Sequence, residues 1–465
     1  MTQTLLVNKE NKLKDSYYKR AKFINIKDID NMDTKIEEET YNAFLELQKY
    51  LETKNIIIGI DSAYRSFERQ QELYQEFCDK YGKDYANKIV APVGTSEHHT
   101  GLAIDLALKE KGEYLDADTV HEEEEPIYKE IHKHLKDFGF ILRYPEGKEE
   151  ITGYPYEPWH IRYVGKFVAQ IIYEKKYTLE EYLTNYSGVI LVNKEKNMTS
   201  FDVVNEISHL FGIKKVGHTG TLDPMAEGVL LVAIGKATKI VELLTATYKE
   251  YIATVQLGIK TDTLDITGNV LAKKELPIID NLKETLNSFK KTYLQEVPIY
   301  SAVKVNGKKL YEYARNKEEV SLPKKEVTIK EIELISQTEN TFTFKTLVSK
   351  GCYIRSLIND IGNCLNTYAT MTALTRTKQG KVLLEDTKTL AEIKNNNFKI
   401  YEIDEVLELP TIIVSEEQEK KIKTGQKLSN DWNIKNKVIF KNTNNFILGI
   451  YENNNECLHV WKNFV

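Results

Sequence analysis

The sequence predicts an α+β multidomain protein, and three observations carry that prediction. At roughly 150 residues per domain, 465 residues suggest about three domains. Apolar residues at helical spacing alternate along the chain with short apolar strands. The last 55 residues instead alternate apolar and polar, as in Val438-Ile439-Phe440 and Phe446-Ile447-Leu448, between Asn-rich turns.

Composition bounds the class. A hydrophobic fraction of 41% and a charged fraction of 29% describe an ordinary globular chain with ample core. The longest apolar runs, such as residues 229–234, fall far short of the ~18 residues of a membrane span, so no stable membrane insertion is expected. Residues 1–20 are polar and lysine-bearing with no apolar h-region, which predicts no signal peptide and a cytoplasmic location. The four cysteines, Cys78, Cys352, Cys364 and Cys457, form no Cys-x-x-Cys pair. They suggest neither a zinc ribbon nor a disulfide framework, and read as free thiols.

In chain order, Ile36, Tyr41, Phe44, Leu45 and Leu47 predict a helix over 36–53. Residues 55–60 read as a short strand, 67–81 as a second amphipathic helix, and the acidic run 122–125 as a solvated loop. A further helix is expected over 127–138, ending near Gly139. The pattern breaks over 177–187, and Gly188 opens a new strand through 189–192. Thr199 and Ser200 are N-cap candidates for a helix over 203–211. These breaks place one domain over 1–187, a second over 188–400 and a small β-rich third over 401–465. The joint has no Gly/Ser-rich or Pro-rich linker. Leu-Val-Asn-Lys-Glu occurs at 6–10 and again at 191–195, a coincidence rather than a repeat.

Charge is unevenly spread. Residues 1–187 hold 26 basic and 35 acidic side chains, and the remainder 38 and 34. A polyanion such as RNA would prefer the back of the chain.

The front carries Ser96-Glu97-His98-His99-Thr100-Gly101-Leu102-Ala103-Ile104-Asp105. Zinc catalysis needs three protein ligands and one open position, and imidazole and carboxylate are suitable ligands. A nearby carboxylate can take the proton from water. His98 and Asp105 flank a turn through Gly101, so their side chains can converge. Glu157-Pro158-Trp159-His160 offers a third ligand with a carboxylate three residues before it. Pro158 disfavours helix at Glu157, so an extended or turning segment must present both. His99, His121, His132 and His134 read as ordinary surface or core histidines.

With Ser62-Ala63-Tyr64-Arg65-Ser66 and the segment 140–164, this motif resembles the VanY-type D-alanyl-D-alanine carboxypeptidases over about 5–175. The resemblance implies a zinc peptidase-like α+β domain. His98, Asp105 and His160 would bind Zn2+, Glu157 would be the general base, and Arg65 would stabilise the developing oxyanion. Ser96 joins them as a substrate-binding residue. The substrates implied are D-Ala-terminated peptides or, in cytoplasm, peptidoglycan precursors.

The back carries Gly217-His218-Thr219-Gly220-Thr221-Leu222-Asp223-Pro224-Met225-Ala226-Glu227-Gly228 before an apolar strand over 229–234. By itself, Asp223-Pro224 is a turn. It has no His/Cys/Asp set for a metal and no Gly-rich phosphate cradle. Lys249-Glu250-Tyr251-Ile252-Ala253 puts an aromatic at the start of a strand. Arg355 lies between apolar positions in Tyr353-Ile354-Arg355-Ser356-Leu357, where an unpaired charge is costly; Asp223 is one candidate partner. The segment 300–315, including Lys304, interleaves cations with tyrosines, which suits phosphate contacts and base stacking as well as a solvated basic loop.

Together with Gly258-x-x-Thr261-Asp262-Thr263-x-Asp265 and Leu374-x-Arg376-Thr377, these segments resemble the bacterial tRNA pseudouridine-55 synthases from Gly188 onward. The resemblance implies a mixed α/β catalytic domain and a PUA-like RNA-binding domain. It implies flipping of a uridine from the tRNA T-arm, cleavage of its N-glycosidic bond and reattachment through carbon, with no cofactor. Asp223 would be the catalytic carboxylate, with Tyr251 against the base and Arg355 paired to Asp223. His218, Lys304 and Leu357 would contact RNA. One departure stands out: the family's Lys-Pro-x-Gly-x-Thr-Ser is here Lys194-Glu195-Lys196-Asn197-Met198-Thr199-Ser200. Loss of Pro and Gly is expected to alter that loop and to lower RNA affinity at most.

The leading expectation is a two-enzyme chain whose better-marked activity is uridine isomerisation. The alternative makes the peptidase the working half and the synthase a passive RNA-binding module. A third reading is an RNA-binding protein with both sites silent.

Overall fold

The computed structural model describes residues 3–110, 112–115, 124–454 and 457–465. The chain folds into two compact units, Met1–Tyr186 with Ile207–Lys214, and Ser187–Glu206 with Lys215–Val465.

The first unit is built on an antiparallel sheet in the order Ile58–Ser62, Ala103–Glu110, His160–Tyr163, Phe140–Leu142, with Glu113–Tyr114 added to the second strand. Ala103–Glu110 is buried on both faces for its first six residues, as its near-continuous apolar sequence requires. Asp105 is the exception in that run. Register sets it beside Ser62 on one side and opposite His160 on the other. Helix Glu38–Glu52 covers the sheet with Ala43, Phe44, Leu47 and Leu51, which pack with Ile58, Ile104 and Ile161.

This helix starts later than the periodicity predicts. Ile36 belongs instead to strand Asp33–Glu37, paired with Ile24, and the Glu37 carboxylate caps the helix by accepting from Glu39 and Thr40 N–H. Helix Phe67–Tyr81 has the expected bounds, with Ser66 as N-cap. Helix Glu125–His134 tightens into a 3-10 turn, Leu135–Phe138, that ends at Gly139. Of the acidic run, Glu122 and Glu123 lie outside the described residues, as does His121. Glu124 is buried and Glu125 opens the helix, so this end of the run is not a solvated loop.

The second unit carries a ten-stranded sheet. Its main path is Thr292–Glu296, Lys324–Gln337, Thr341–Val348, Lys249–Leu257, Ala369–Gln379, Glu227–Ile234, Gly188–Lys194, Ile400–Tyr401. Neighbours pair antiparallel except Glu227–Ile234 with Ala369–Gln379, which touch in parallel only at Glu227↔Thr375 and Gly228↔Arg376. Gly228 is required there. Its φ is 108°, and an added Cβ would sit 2.2 Å from the Arg376 carbonyl oxygen. The loop carrying Asp223 enters the sheet through this junction. Lys249–Leu257 alternates buried and half-buried residues along its whole length, so one face belongs to the core.

A separate five-stranded sheet follows, in the order Thr411–Ile413, Lys437–Lys441, Ile447–Asn454, Cys457–Asn463, Leu428–Ser429. The expected boundary at 401 falls inside the large sheet, because Ile400 and Tyr401 pair with Ile190 and Val189. That pairing spans some two hundred residues and leaves no local mark. The five-residue repeat is a coincidence in structure too: Asn8 sits in a turn bridged to Asn11, whereas 191–194 lie in a strand. Among the described residues, no helix is long and apolar enough to cross a membrane.

Candidate functional site

In the first unit, a short 3-10 turn, Glu97–Thr100, delivers His98 next to strand Ala103–Glu110. Gly101 closes the turn at φ 67°. A Cβ there would lie 2.6 Å from the Phe23 ring and 3.0 Å from the Glu37 backbone nitrogen, so only glycine lets the chain reverse this tightly. His98 Nε2 is then 3.1 Å from Asp105 Oδ2, and His160 Nδ1 is 3.1 Å from Asp105 Oδ1. One ligand atom from each of the three lies within 4.8 Å of the others, and all three residues are buried.

Second contacts orient the rings. His98 Nδ1 lies 2.6 Å from the Ala63 carbonyl oxygen, which places the proton on Nδ1 and turns the Nε2 lone pair inward. Asp105 Oδ1 is buried and faces His160 Nδ1. Two imidazoles and one carboxylate converging in a buried cluster fit a catalytic zinc site. Burial pushes the His98 imidazolium down, against the pull of Asp105, which favours the neutral ligand form. Burial alone would raise the Asp105 carboxyl; His98 and His160 outweigh it and hold the group well below its usual range.

Glu157 sits in the turn before His160, with Oε2 3.4 Å from His160 Nδ1. Arg65 Nη2 lies 3.7 Å from Asp105 Oδ2 and is tethered to Ser62 Oγ at 3.2 Å. Ser96, Arg65, Glu157, His98, Asp105 and His160 line one cavity of about 130 Å³. His99, by contrast, is satisfied on both ring nitrogens, by Arg65 O at 2.6 Å and by the Gly94 N–H at 3.2 Å. His132 meets Pro158 O at 2.8 Å and His134 meets the Tyr50 hydroxyl at 3.3 Å.

Sequence reasoning gave Glu97 no role. It is wholly buried, and its Oε1 accepts from Arg143 Nε at 2.8 Å and Arg162 Nη1 at 2.7 Å. Losing one partner of such a buried pair costs about 3–5 kcal/mol. The available signal was that both arginines stand beside apolar residues, Leu142 and Ile161.

In the second unit, the loop at Asp223 is a turn, with Ala226 N–H donating to Asp223 O at 3.0 Å. It is also a site. Arg355, in the first turn of helix Ile354–Cys364, donates through Nε to Asp223 Oδ2 at 2.8 Å and through Nη2 to Oδ1 at 2.9 Å. The remaining donors reach Thr263 O at 3.0 Å and Tyr300 O at 3.1 Å. Asp265 Oδ2 stands 3.9 Å from Nε. The guanidinium side chain is 6% exposed and the Asp223 side chain 31%, so the fork holds the carboxylate from beneath and leaves it open to solvent.

Tyr251 is buried beside this loop, in one core cluster with Leu222 and Ala226. Its hydroxyl lies 3.5 Å from Arg376 Nη1. Arg376, to which sequence reasoning gave no role, is fully buried and ties Val229 O at 2.6 Å to Gly220 O at 3.0 Å, bracing both ends of the Asp223 loop. His218 Nδ1 accepts from Gly220 N–H at 3.2 Å, and burial followed by Arg376 pushes its imidazolium down. Lys304 is exposed on a two-stranded hairpin, Lys304–Val305 with Lys308–Lys309, closed by Asn306-Gly307. Cations there pair with tyrosines: Lys308 over Tyr313 at 4.7 Å and Arg315 over Tyr311 at 5.4 Å.

Two expectations need correction. Leu357 is fully buried in the core cluster and offers RNA no surface, because it points to the opposite side of its helix from Arg355 and packs with Ile354, Ile358 and Ile361. The 194–200 loop keeps a left-handed turn despite its lost glycine. Asn197 takes φ 66°, which asparagine tolerates, and its N–H donates to Pro224 O at 2.8 Å.

Comparison with known proteins follows the same division. Residues 208–354 match the family model described as TruB family pseudouridylate synthase (N terminal domain), and residues 33–166 match D-alanyl-D-alanine carboxypeptidase. The tRNA pseudouridine synthase B of Fusobacterium nucleatum subsp. nucleatum is 48% identical over 199 residues, 43% of this chain and 69% of that protein. That of Caldanaerobacter subterraneus subsp. tengcongensis is 42% identical over 255 residues, 54% of this chain and 90% of that protein. A solved vancomycin resistance D,D-pentapeptidase variant in complex with Zn(II) is 30% identical, covering 40% of this chain and all of that one, with a TM-score of 0.34.

Proposed function

For a chain that belongs to the TruB family of pseudouridylate synthases, with a carboxypeptidase-family region ahead of the synthase, we propose isomerisation of uridine 55 in the tRNA T-arm as the leading activity. The observation that carries it is the Asp223 carboxylate, presented to solvent by a buried two-pronged Arg355. A uridine flipped into this site costs a few kcal/mol of unstacking, offset by contacts to the protein. Asp223 faces its ribose and supplies the negative charge as the C1′–N1 bond opens. The base turns, C1′ bonds to C5, the C5 proton leaves and N1 takes one up. Atoms balance, so no cofactor is needed. Tyr251 packs on the base. His218 and the Lys304 hairpin contact the RNA, and the five-stranded sheet from Thr411 to Asn463 acts as a PUA-like RNA-binding domain.

The front region supports a second reading through its own observation, the convergence of His98, Asp105 and His160. These three would hold Zn2+, which when bound would supply Lewis acidity to a water at about pH 7. Glu157 accepts the proton, Arg65 faces the developing oxyanion, and Ser96 lines the pocket for a D-Ala-terminated peptide or precursor. Uridine conversion in tRNA calls for a cytoplasmic chain, where the peptidase region would act on D-Ala-terminated precursors or short peptides.

The test is direct. The purified chain should convert uridine 55 in a tRNA transcript, and Asp223→Asn should abolish conversion. Failure of the wild-type chain overturns the leading reading.

A further inference from the structure

Glu97 has no part in the peptide chemistry above, yet it is the most enclosed carboxylate beside the ligands. Its Oε1 is taken by Arg143 and Arg162. Its Oε2 is buried without a hydrogen-bond partner among the described residues and lies 4.0 Å from His160 Nε2, which has none either. His160 meanwhile turns Nδ1 toward Asp105, at 3.1 Å. An imidazole that gives its Nδ1 lone pair to a metal carries its proton on Nε2 and needs an acceptor for it. Glu97 Oε2 is the anion that faces that proton, and a small ring rotation or one bridging water closes the gap.

We propose that Glu97 is a positioning residue of the metal centre, fixing His160 from behind, and that it is itself held through Arg143 by Glu180. Arg143 Nη1 and Nη2 donate to Glu180 at 3.0 and 2.6 Å. Glu180 lies on helix Leu179–Asn185, which a Thr178/Glu181 capping box starts firmly. Arg162 Nη2 also binds the carbonyls of Gln3 and Leu5, each at 2.9 Å, and Asn8 Nδ2 donates to Glu180 Oε1 at 3.3 Å. Residues 3–8 and 178–185 both lie outside the 33–166 that match the carboxypeptidase family. The flanking segments of this unit thereby set the orientation of a metal ligand. Two guanidiniums and two carboxylates make the cluster neutral, and the side chains of Glu97, Arg143 and Arg162 are 0% exposed, so the arrangement has little freedom to relax.

This proposal rests on the zinc reading of the site. Its test uses the full chain, with zinc affinity measured by competition against a chromogenic chelator and ligand geometry by the visible spectrum after Co2+ substitution. Glu97→Gln, folded by circular dichroism, should bind zinc about 10–100-fold more weakly and shift the Co2+ bands. Glu180→Gln should weaken binding severalfold. Affinity within twofold of wild type in folded Glu97→Gln overturns the proposal. If that variant does not fold, Glu180→Gln decides, and an unchanged affinity and spectrum overturn it. A wild-type chain that binds no zinc removes the metal reading and the proposal with it, whereas wild-type binding with unaltered variants removes the proposal alone.

Discussion

The two units each centre on one aspartate, and the partners of that aspartate divide their chemistry. Asp105 is set between two imidazoles in a buried cluster, with His98 Nε2 facing one of its oxygens and His160 Nδ1 the other, each at 3.1 Å. Asp223 has both oxygens on a single guanidinium and stays open to solvent. A buried carboxylate among imidazole nitrogens offers the donor set of a metal site. A carboxylate whose charge is already met by a fixed fork can present itself to a large anionic substrate. Residue type alone distinguishes neither; the neighbours brought in by folding do.

Four experiments probe that contrast, beginning with the largest effect. His98→Ala/His160→Ala should drop bound zinc from about one per chain to none by metal analysis and abolish D-Ala release, while uridine conversion continues. Loss of both activities would break the separation of the two sites. Arg355→Lys replaces a two-pronged donor by a point charge, and should slow single-turnover pseudouridine formation about 100-fold with zinc content unchanged. Gly228→Ala forces a side chain into φ 108° against the Arg376 carbonyl and should destabilise the second unit by about 2–4 kcal/mol in denaturant unfolding. An unshifted midpoint would show that the sheet junction beneath Asp223 is pliable.

The smallest effect concerns Lys194. Burial pushes its ammonium from 10.5 down to about 8, against the pull of nearby Asp223. The folded chain therefore releases this proton before the unfolded chain does. Between about pH 8 and 10.5 the unfolded state binds more protons, so the residue makes stability rise with pH. Lys194→Met should flatten that rise by about 1 kcal/mol, after discounting for solvent screening. A slope identical to wild type would remove Lys194 from the electrostatics of the Asp223 site.

Much of each site was legible because its residues sit in short, dense motifs. His98 and Asp105 lie seven residues apart across one glycine, and His160 follows a carboxylate by three. Arg355 was legible by a different route, since a guanidinium among Ile354, Leu357 and Ile358 must find an anion, and it found Asp223. The same logic applied to Arg143 and Arg162 leads to Glu97, whose place inside a metal motif drew attention to its neighbours instead. Arg376 stayed silent because its partners are backbone carbonyls, which every residue has. Leu357 was misread because an apolar residue next to a functional one carries no sign of which helix face it occupies.

From the sequence alone came the two family motifs, the candidate residues within them, and the change of architecture near residue 187, because each is written in local patterns. Only the tertiary structure decided that Ile400–Tyr401 closes the large sheet, that Asn197 keeps the turn a glycine would make, and that Glu180 reaches back through Arg143 to Glu97. Those outcomes depend on contacts between residues far apart in the chain, and such contacts exist only once burial makes each unpaired charge and each open strand edge costly.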